Sequence, residues 1–244
     1  DRTGWLLGHW APSSQEQEAL ARLYRSSIRS LGPRLERILS IIRKRRPGND
    51  PVIVLTSDHG QAFGTNGTLF HSQGTEEALL RIPMYIRTPD DSLIARHARN
   101  WVSLIDVVPT VLRAIGADVP SLPSARAIQE ISNNDGKRPV FAYSTGLGTP
   151  KADWVSPKIR QAIDGLRAVG YQLDTKVIVG PEGNLVETFD LNLDPLARTN
   201  TRRPGEFGDR DPLREVLALH SRIISTRILT FEGGIERRLR SWGY

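Results

Sequence analysis

No cysteine occurs among the 244 residues, which excludes disulfides, thiolate zinc centres and a cysteine nucleophile from this chain. No apolar run approaches the roughly 20 residues that a membrane-spanning helix needs. The opening stretch DRTGWLLGHW lacks the arrangement of a secretory signal. Because the chain opens without Met, and in mid-theme, it is expected to be truncated at its N-terminus, and its localisation stays unassigned. Aromatic residues do not interleave with the basic runs in the way single-strand nucleic-acid binders use them. The formal net charge of +6 suits steering of an anionic substrate. Its cations are spread among acids, and Arg43-Lys44-Arg45-Arg46 falls where a helix C-terminus attracts positive charge. Neither a nucleic-acid partner nor a membrane span is therefore expected, and the oligomeric state is left open. With 39% hydrophobic and 25% charged residues, the composition is that of a folded globular protein rather than a disordered or fibrous one.

Periodicity then organises the chain. Ser13 and Glu16 have capping-box spacing, and Leu20, Leu23, Tyr24, Ile28 and Leu31 recur at helical intervals after them. Gly32-Pro33 interrupts that pattern, and Pro33 suits the first turn of a second helix carrying Leu35, Ile38, Leu39 and Ile42. A turn at Pro47 to Asp50 leads into the β-branched run Val52 to Leu55, which reads as a strand buried on both faces. Ile82 to Arg87 reads as another strand and Ser103 to Ile115 as a helix with Gly116 as its cap, its apolar face being Leu104, Ile105, Val108 and Leu112. Beyond residue 130 the texture changes to short strands: Val140 to Tyr143, Leu166 to Val169, Tyr171 to Val179 and Leu185 to Phe189. A closing helix is expected near Leu213 to Leu229, with His220 at the edge of its core face. The tail from Ile235 to Tyr244 shows no periodicity.

The chemistry gathers at Asp58-His59-Gly60, which ends the first strand, with His71 following in a glycine-containing loop. Carboxylate and neutral imidazole are both good donors to divalent cations. Inside a strand neighbouring side chains point to opposite faces, so the strand must end here for the two to converge, and Gly60 is expected to give the backbone freedom for that turn. Open α/β sheets place their sites outside the carboxyl ends of strands. The same tripeptide is also compatible with a structural Asp and a surface histidine.

The stretch Thr56 to Pro83, TSDHGQAFGTNGTLFHSQGTEEALLRIP, resembles the sulfatase branch of the alkaline phosphatase superfamily. The likeness lies in a Ser-Asp-His-Gly strand end, a glycine-rich loop with a histidine, a Glu-Glu pair, and Arg81-Ile82-Pro83 entering a strand. Further segments are similar in the same order. They are Leu23 to Leu31 before the strand, Ser103 to Leu112 as Ser-Leu-x-Asp-x-x-Pro-Thr-x-Leu, and Phe189-Asp190-Leu191, Asp194-Pro195 and Asn200 near the end.

That resemblance implies an alkaline phosphatase/sulfatase-like α/β fold, a mostly parallel sheet flanked by helices, with a smaller C-terminal antiparallel α+β subdomain. Residues 1–130 would be the C-terminal part of the core with half of the metal site, and 131–244 the subdomain and basic tail. It implies a sulfuric ester hydrolase in which Asp58 and His59 bind a divalent metal ion. Calcium is the expected ion, with Mn or Zn if the chemistry is phosphodiesterase-like. His71 would contact the transferring group or protonate the leaving oxygen. The substrate would be an anionic small-molecule or saccharide sulfate ester. Glu76 and Glu77 read instead as helix-start acids, one of them pairing with Arg81. Asp106 reads as structural and His97 as a surface residue.

One family feature has no counterpart. Sulfatases carry a Cys or Ser followed by x-Pro-x-Arg, together with an acidic metal-binding pair upstream, and no such segment stands here. Ser121 to Arg126 only imitates it, and His9, with Pro12 after it, resembles the family's upstream His-x-Pro segment at a short distance from the first helix and is not counted among the site residues. The expectation is a sulfatase portion that is inactive by itself. Two alternatives stay open: a phosphodiesterase or phosphonate monoester hydrolase of the same superfamily, and a non-catalytic interaction module.

Overall fold

The computed structural model describes residues 4–5, 9–45, 48, 50–64, 68–71, 74–89, 101–122, 125–131, 138–144, 167–180 and 185–199. The expected closing helix with His220, the tail from Ile235, His97 and Asn200 lie outside the described residues.

Helix α1 (Ser14–Arg45) begins at the expected capping box: Ser13 N donates to Glu16 Oε2 at 2.7 Å, and Glu16 N donates back to Ser13 Oγ at 3.3 Å. The two helices expected around Gly32-Pro33 are one, with Pro33 inside it. An interior proline leaves a carbonyl one turn earlier without its amide partner. No residue of α1 is buried, so water can satisfy that carbonyl. Tyr24 packs edge-on against Phe63, with ring centroids 5.3 Å apart.

Strand β1 (Ile53–Thr56) pairs antiparallel with β4 (Met84–Arg87), Ile53 opposite Arg87 and Thr56 opposite Met84. Between them in sequence come the hairpin of β2 (Ala62–Phe63) with β3 (Leu69–Phe70) and the short helix α2 (Glu77–Leu80). All strand pairs among the described residues are antiparallel. The parallel ladder expected of the core is not among them. Nor is β1 buried on both faces: Leu55 is 44% exposed and Tyr85 across from it 68%.

Helix α3 (Val107–Ala114) follows a 3₁₀ turn at Leu104–Asp106, and Pro109 sits in its first turn, where no amide partner is lost. Gly116 takes a left-handed φ of 72°, as a C-terminal cap should. The face that α3 buries is not the expected one. Asp106, Pro109 and Thr110 are buried while Ile105 and Val108 are at least half exposed. Hydrogen bonding explains the inversion. Asp106 accepts from Ser103 N and Arg126 N, and both its oxygens accept from Arg138 at 2.8 Å; Thr110 Oγ1 donates to Asp106 O and accepts from Ile128 N. Asp106 is therefore structural, as its sequence setting indicated.

The C-terminal sheet is an antiparallel meander of β5 (Val140–Ser144), β6 (Arg167–Gln172), β7 (Thr175–Val179) and β8 (Leu185–Asp190) in that order. One face buries Val140, Val169, Tyr171, Ile178 and Phe189, against which Leu80 and Trp101 pack. The other buries Ala168, Val177 and Val179 beneath Phe141 and Tyr143. β6 continues through Gly170 and Tyr171, where the sequence suggested a break, and turns at Leu173-Asp174.

Candidate functional site

Two backbone contacts shape the Asp58-His59-Gly60 corner. Gly60 N donates to Leu79 O at 2.8 Å and Gln61 N to Ala78 O at 2.9 Å, so the chain leaving β1 lies directly on α2. A Cβ on Gly60 would stand 1.9 Å from Ala78 O. Glycine is thus required by close approach rather than by the backbone freedom that the sequence suggested, since Gly60 has no positive φ.

At that corner Asp58 and His59 present their side chains to solvent. His59 N donates to Asp58 Oδ1 at 2.9 Å, and this bond chiefly holds the Asp58 carboxyl below the usual carboxylate range. His59 Nδ1 lies 2.8 Å from the carbonyl oxygen of Gly60. A carbonyl only accepts, so Nδ1 carries the proton, and the lone pair of the neutral ring is at Nε2. Nε2 lies 3.7 Å from Asp58 Oδ1. Metal–ligand distances of about 2.0–2.6 Å let a single cation reach two atoms at that separation. A ring oriented by a backbone carbonyl is the usual support of a metal-binding histidine. The pair therefore fits a divalent cation. Among the described residues no group of three or more His, Asp or Glu side chains completes such a site.

His71 joins them. The pairing Ala62 with Phe70 brings the end of the hairpin back over its start, and the His71 ring stacks on that of His59 with centroids 4.5 Å apart and planes 11° apart. Phe70 just before it holds a φ of 70°, uncommon for a bulky residue, and its ring meets Trp5 edge-on. Asp58, His59 and His71 all open on one cavity of about 810 Å³, also lined by Arg81, Trp101 and Tyr143. The Arg81 guanidinium lies over the Trp101 ring, 5.8 Å from its centroid. Burial pushes the Tyr143 hydroxyl up to about 12, so it remains a neutral donor at physiological pH. Neither His9 nor Ser121 lines this cavity.

The Glu-Glu pair departs from its sequence reading. Glu77 is buried and pairs with Lys176 of β7, not with Arg81, while Glu76 accepts from Thr68 Oγ1. A single Lys in the apolar run Lys176-Val177-Ile178-Val179 was the available signal, for such a residue needs a buried partner.

The family profile described as Sulfatase matches residues 9–117. Over that stretch, a little under half of the chain, it matches the sulfatase family. The chain is 29% identical over 139 residues to an N-acetylglucosamine-6-O-sulfatase of Bacteroides thetaiotaomicron, covering 57% of this chain and 24% of that one. It is 26% identical over 171 residues to arylsulfatase K of Canis lupus familiaris, covering 68% and 30%. It spans about a quarter of the length of curated relatives it matches. Among solved structures, a phosphonate monoester hydrolase of Agrobacterium radiobacter superposes with a TM-score of 0.61 at 18% identity, over 91% of this chain and 42% of that one. A protein solved with its substrate D-glucosamine-2-N,6-O-disulfate superposes with a TM-score of 0.52 at 22% identity, over 75% and 36%. The fold is that of the sulfatases and phosphonate hydrolases.

Proposed function

We propose that this chain forms one wall of a sulfatase active site, in which Asp58 and His59 hold a divalent cation and His71 works on the ester. The carrying observation is the His59 Nδ1 bond to Gly60 O, which directs Nε2 toward the side of the Asp58 carboxylate. The hard, exposed carboxylate favours calcium, and manganese or zinc would suit a phosphodiesterase-like site. Held by Asp58 and His59, such a cation would polarise the ester's non-bridging oxygens and keep the nucleophile in its reactive state. Asp58 brings ionised charge, lowered in pKa by the His59 amide. His71, stacked on His59 and lining the same cavity, donates to the transferring group or protonates the leaving oxygen. Arg81 adds a fixed cation for an anionic substrate.

The favoured substrate is a sulfated saccharide, on the likeness to the N-acetylglucosamine-6-O-sulfatase. These residues contain no Cys or Ser followed by x-Pro-x-Arg, so a formylglycine-type nucleophile and further carboxylates would come from outside them. We also place β1 in a mostly parallel sheet of the complete fold, with residues 1–130 as core and 131–244 as the smaller subdomain. The exposed Leu55 and Tyr85, and Leu23, Ile28 and Leu31 of α1, are apolar surfaces that such a sheet and its helices would cover.

Phosphonate monoester or phosphodiester hydrolysis is the second reading, favoured by the superposition on the Agrobacterium enzyme. Parallel assays of the complete gene product with a glucosamine 6-sulfate and an aryl phosphodiester, each with Ca, Mn and Zn, separate the two. Sulfate release lost on the order of a hundredfold or more in Asp58→Ala supports the first. Turnover of the phosphodiester alone overturns it.

A further inference from the structure

Helix α2 has two different neighbours, and it is too short to hold itself between them. It spans four residues, and its N-cap Glu76 makes no side-chain capping bond; a single turn has almost no stability of its own. On one side its carbonyls carry the metal corner through Leu79 O to Gly60 N and Ala78 O to Gln61 N. On the other side its first residue is clamped by the C-terminal sheet. Glu77 Oε1 accepts from Lys176 Nζ at 2.8 Å and from the Tyr171 hydroxyl at 2.6 Å, and the same Nζ donates to Thr75 O at 2.5 Å. The Lys176 and Glu77 side chains are 1% and 3% exposed. Tyr171 and Lys176 face each other across the β6–β7 ladder, and the ammonium also lies 5.5–5.6 Å from the centroids of the Phe189 and Tyr171 rings.

A buried ion pair is weak evidence for stability, since apolar replacement of both members is often neutral. What it supplies is direction: charge-assisted bonds of fixed length to one carboxylate oxygen and one backbone carbonyl. We infer that Lys176 and Glu77 are a positioning pair, through which β7 sets the place of α2 and so of the Asp58–His59 corner. The sheet near the C-terminus thereby governs the geometry of a site made by the first half of the chain. The bearing of this pair on catalysis rests on the cation reading given above, but the mechanical link does not.

The test uses the whole chain with both charges removed together, Lys176→Met with Glu77→Gln, so that no lone charge is left buried. Amide hydrogen exchange at Gly60 and Gln61 is compared with that of β6 and β7, alongside Mn²⁺ titration. The expected result is an unchanged far-UV spectrum, exchange at those two amides at least about tenfold faster while the sheet amides keep their protection, and Mn²⁺ affinity lower by about 10- to 100-fold. Should the double variant fail to fold, Tyr171→Phe removes only one bond to Glu77 and should speed the same two amides by a smaller factor. Wild-type protection at Gly60 and Gln61 in a folded variant of either kind overturns the positioning pair. If the unmodified chain shows no Mn²⁺ effect at His59, the cation reading fails while the exchange result still decides the mechanical link.

Discussion

The imidazoles of His59 and His71 stack face to face, 4.5 Å between centroids and 11° between planes. Their approach follows from the β2–β3 hairpin: the pairing of Ala62 with Phe70 puts the residue after Phe70 beside the residues before Ala62. The carbonyl of Gly60 fixes the proton on one nitrogen of His59. A histidine with a committed tautomer thus lies against a second one that lines the same cavity.

Gly60 is the hinge of this arrangement, and Gly60→Ala tests it. Its new Cβ would collide with the Ala78 carbonyl, a backbone atom that cannot swing away. The corner should lift from α2, breaking the bonds to Leu79 O and Ala78 O. We expect a loss of about 1–3 kcal/mol in urea denaturation, together with loss of the ring-current shifts between His59 and His71. An unchanged urea midpoint would show that the contact is not rigid.

Asp106 should be among the most sensitive polar positions. It is fully buried, and truncation would strand Arg138, whose side chain is 13% exposed. Removing one partner of such a pair costs about 3–5 kcal/mol, so Asp106→Ala should greatly reduce the denaturation midpoint. Arg138→Met with Asp106→Leu, which removes both charges, should recover much of that loss.

The acid limb of stability should depend on Asp194. Its carboxylate accepts from the amides of Thr199, Arg198 and Leu196, and the Thr199 bond chiefly holds its pKa below the usual value. A depressed carboxyl contributes stability that is present above its unfolded value, about pH 4, and is lost as pH falls through the folded one. Melting temperature should therefore drop with acid below that pH in the natural chain, and Asp194→Asn should flatten the drop. Parallel acid limbs would deny the group this role.

Residue pattern revealed much of this but not all. The capping box at Ser13, the cap at Gly116 and the four C-terminal strands follow from local rules that the structure obeys. So do the positions of Asp58, His59 and His71, because strand-end and loop placement are local too. Three features were illegible for physical reasons. Pro33 continues α1 because the helix is solvent-exposed, which periodicity does not report. The β6–β7 turn uses Leu173 at a φ of 50°, where glycine or asparagine would have marked it. The Glu77 to Lys176 pair spans 99 positions, and no local rule joins residues so far apart.

The central claim, that Asp58 and His59 hold a divalent cation beside His71, is tested most directly by paramagnetic broadening. Substoichiometric Mn²⁺ added to this chain should broaden the imidazole resonances of His59 and His71 while those of His9 stay sharp, and Asp58→Ala should abolish the effect. Sharp His59 and His71 signals under excess Mn²⁺, or broadening that survives Asp58→Ala, would contradict it.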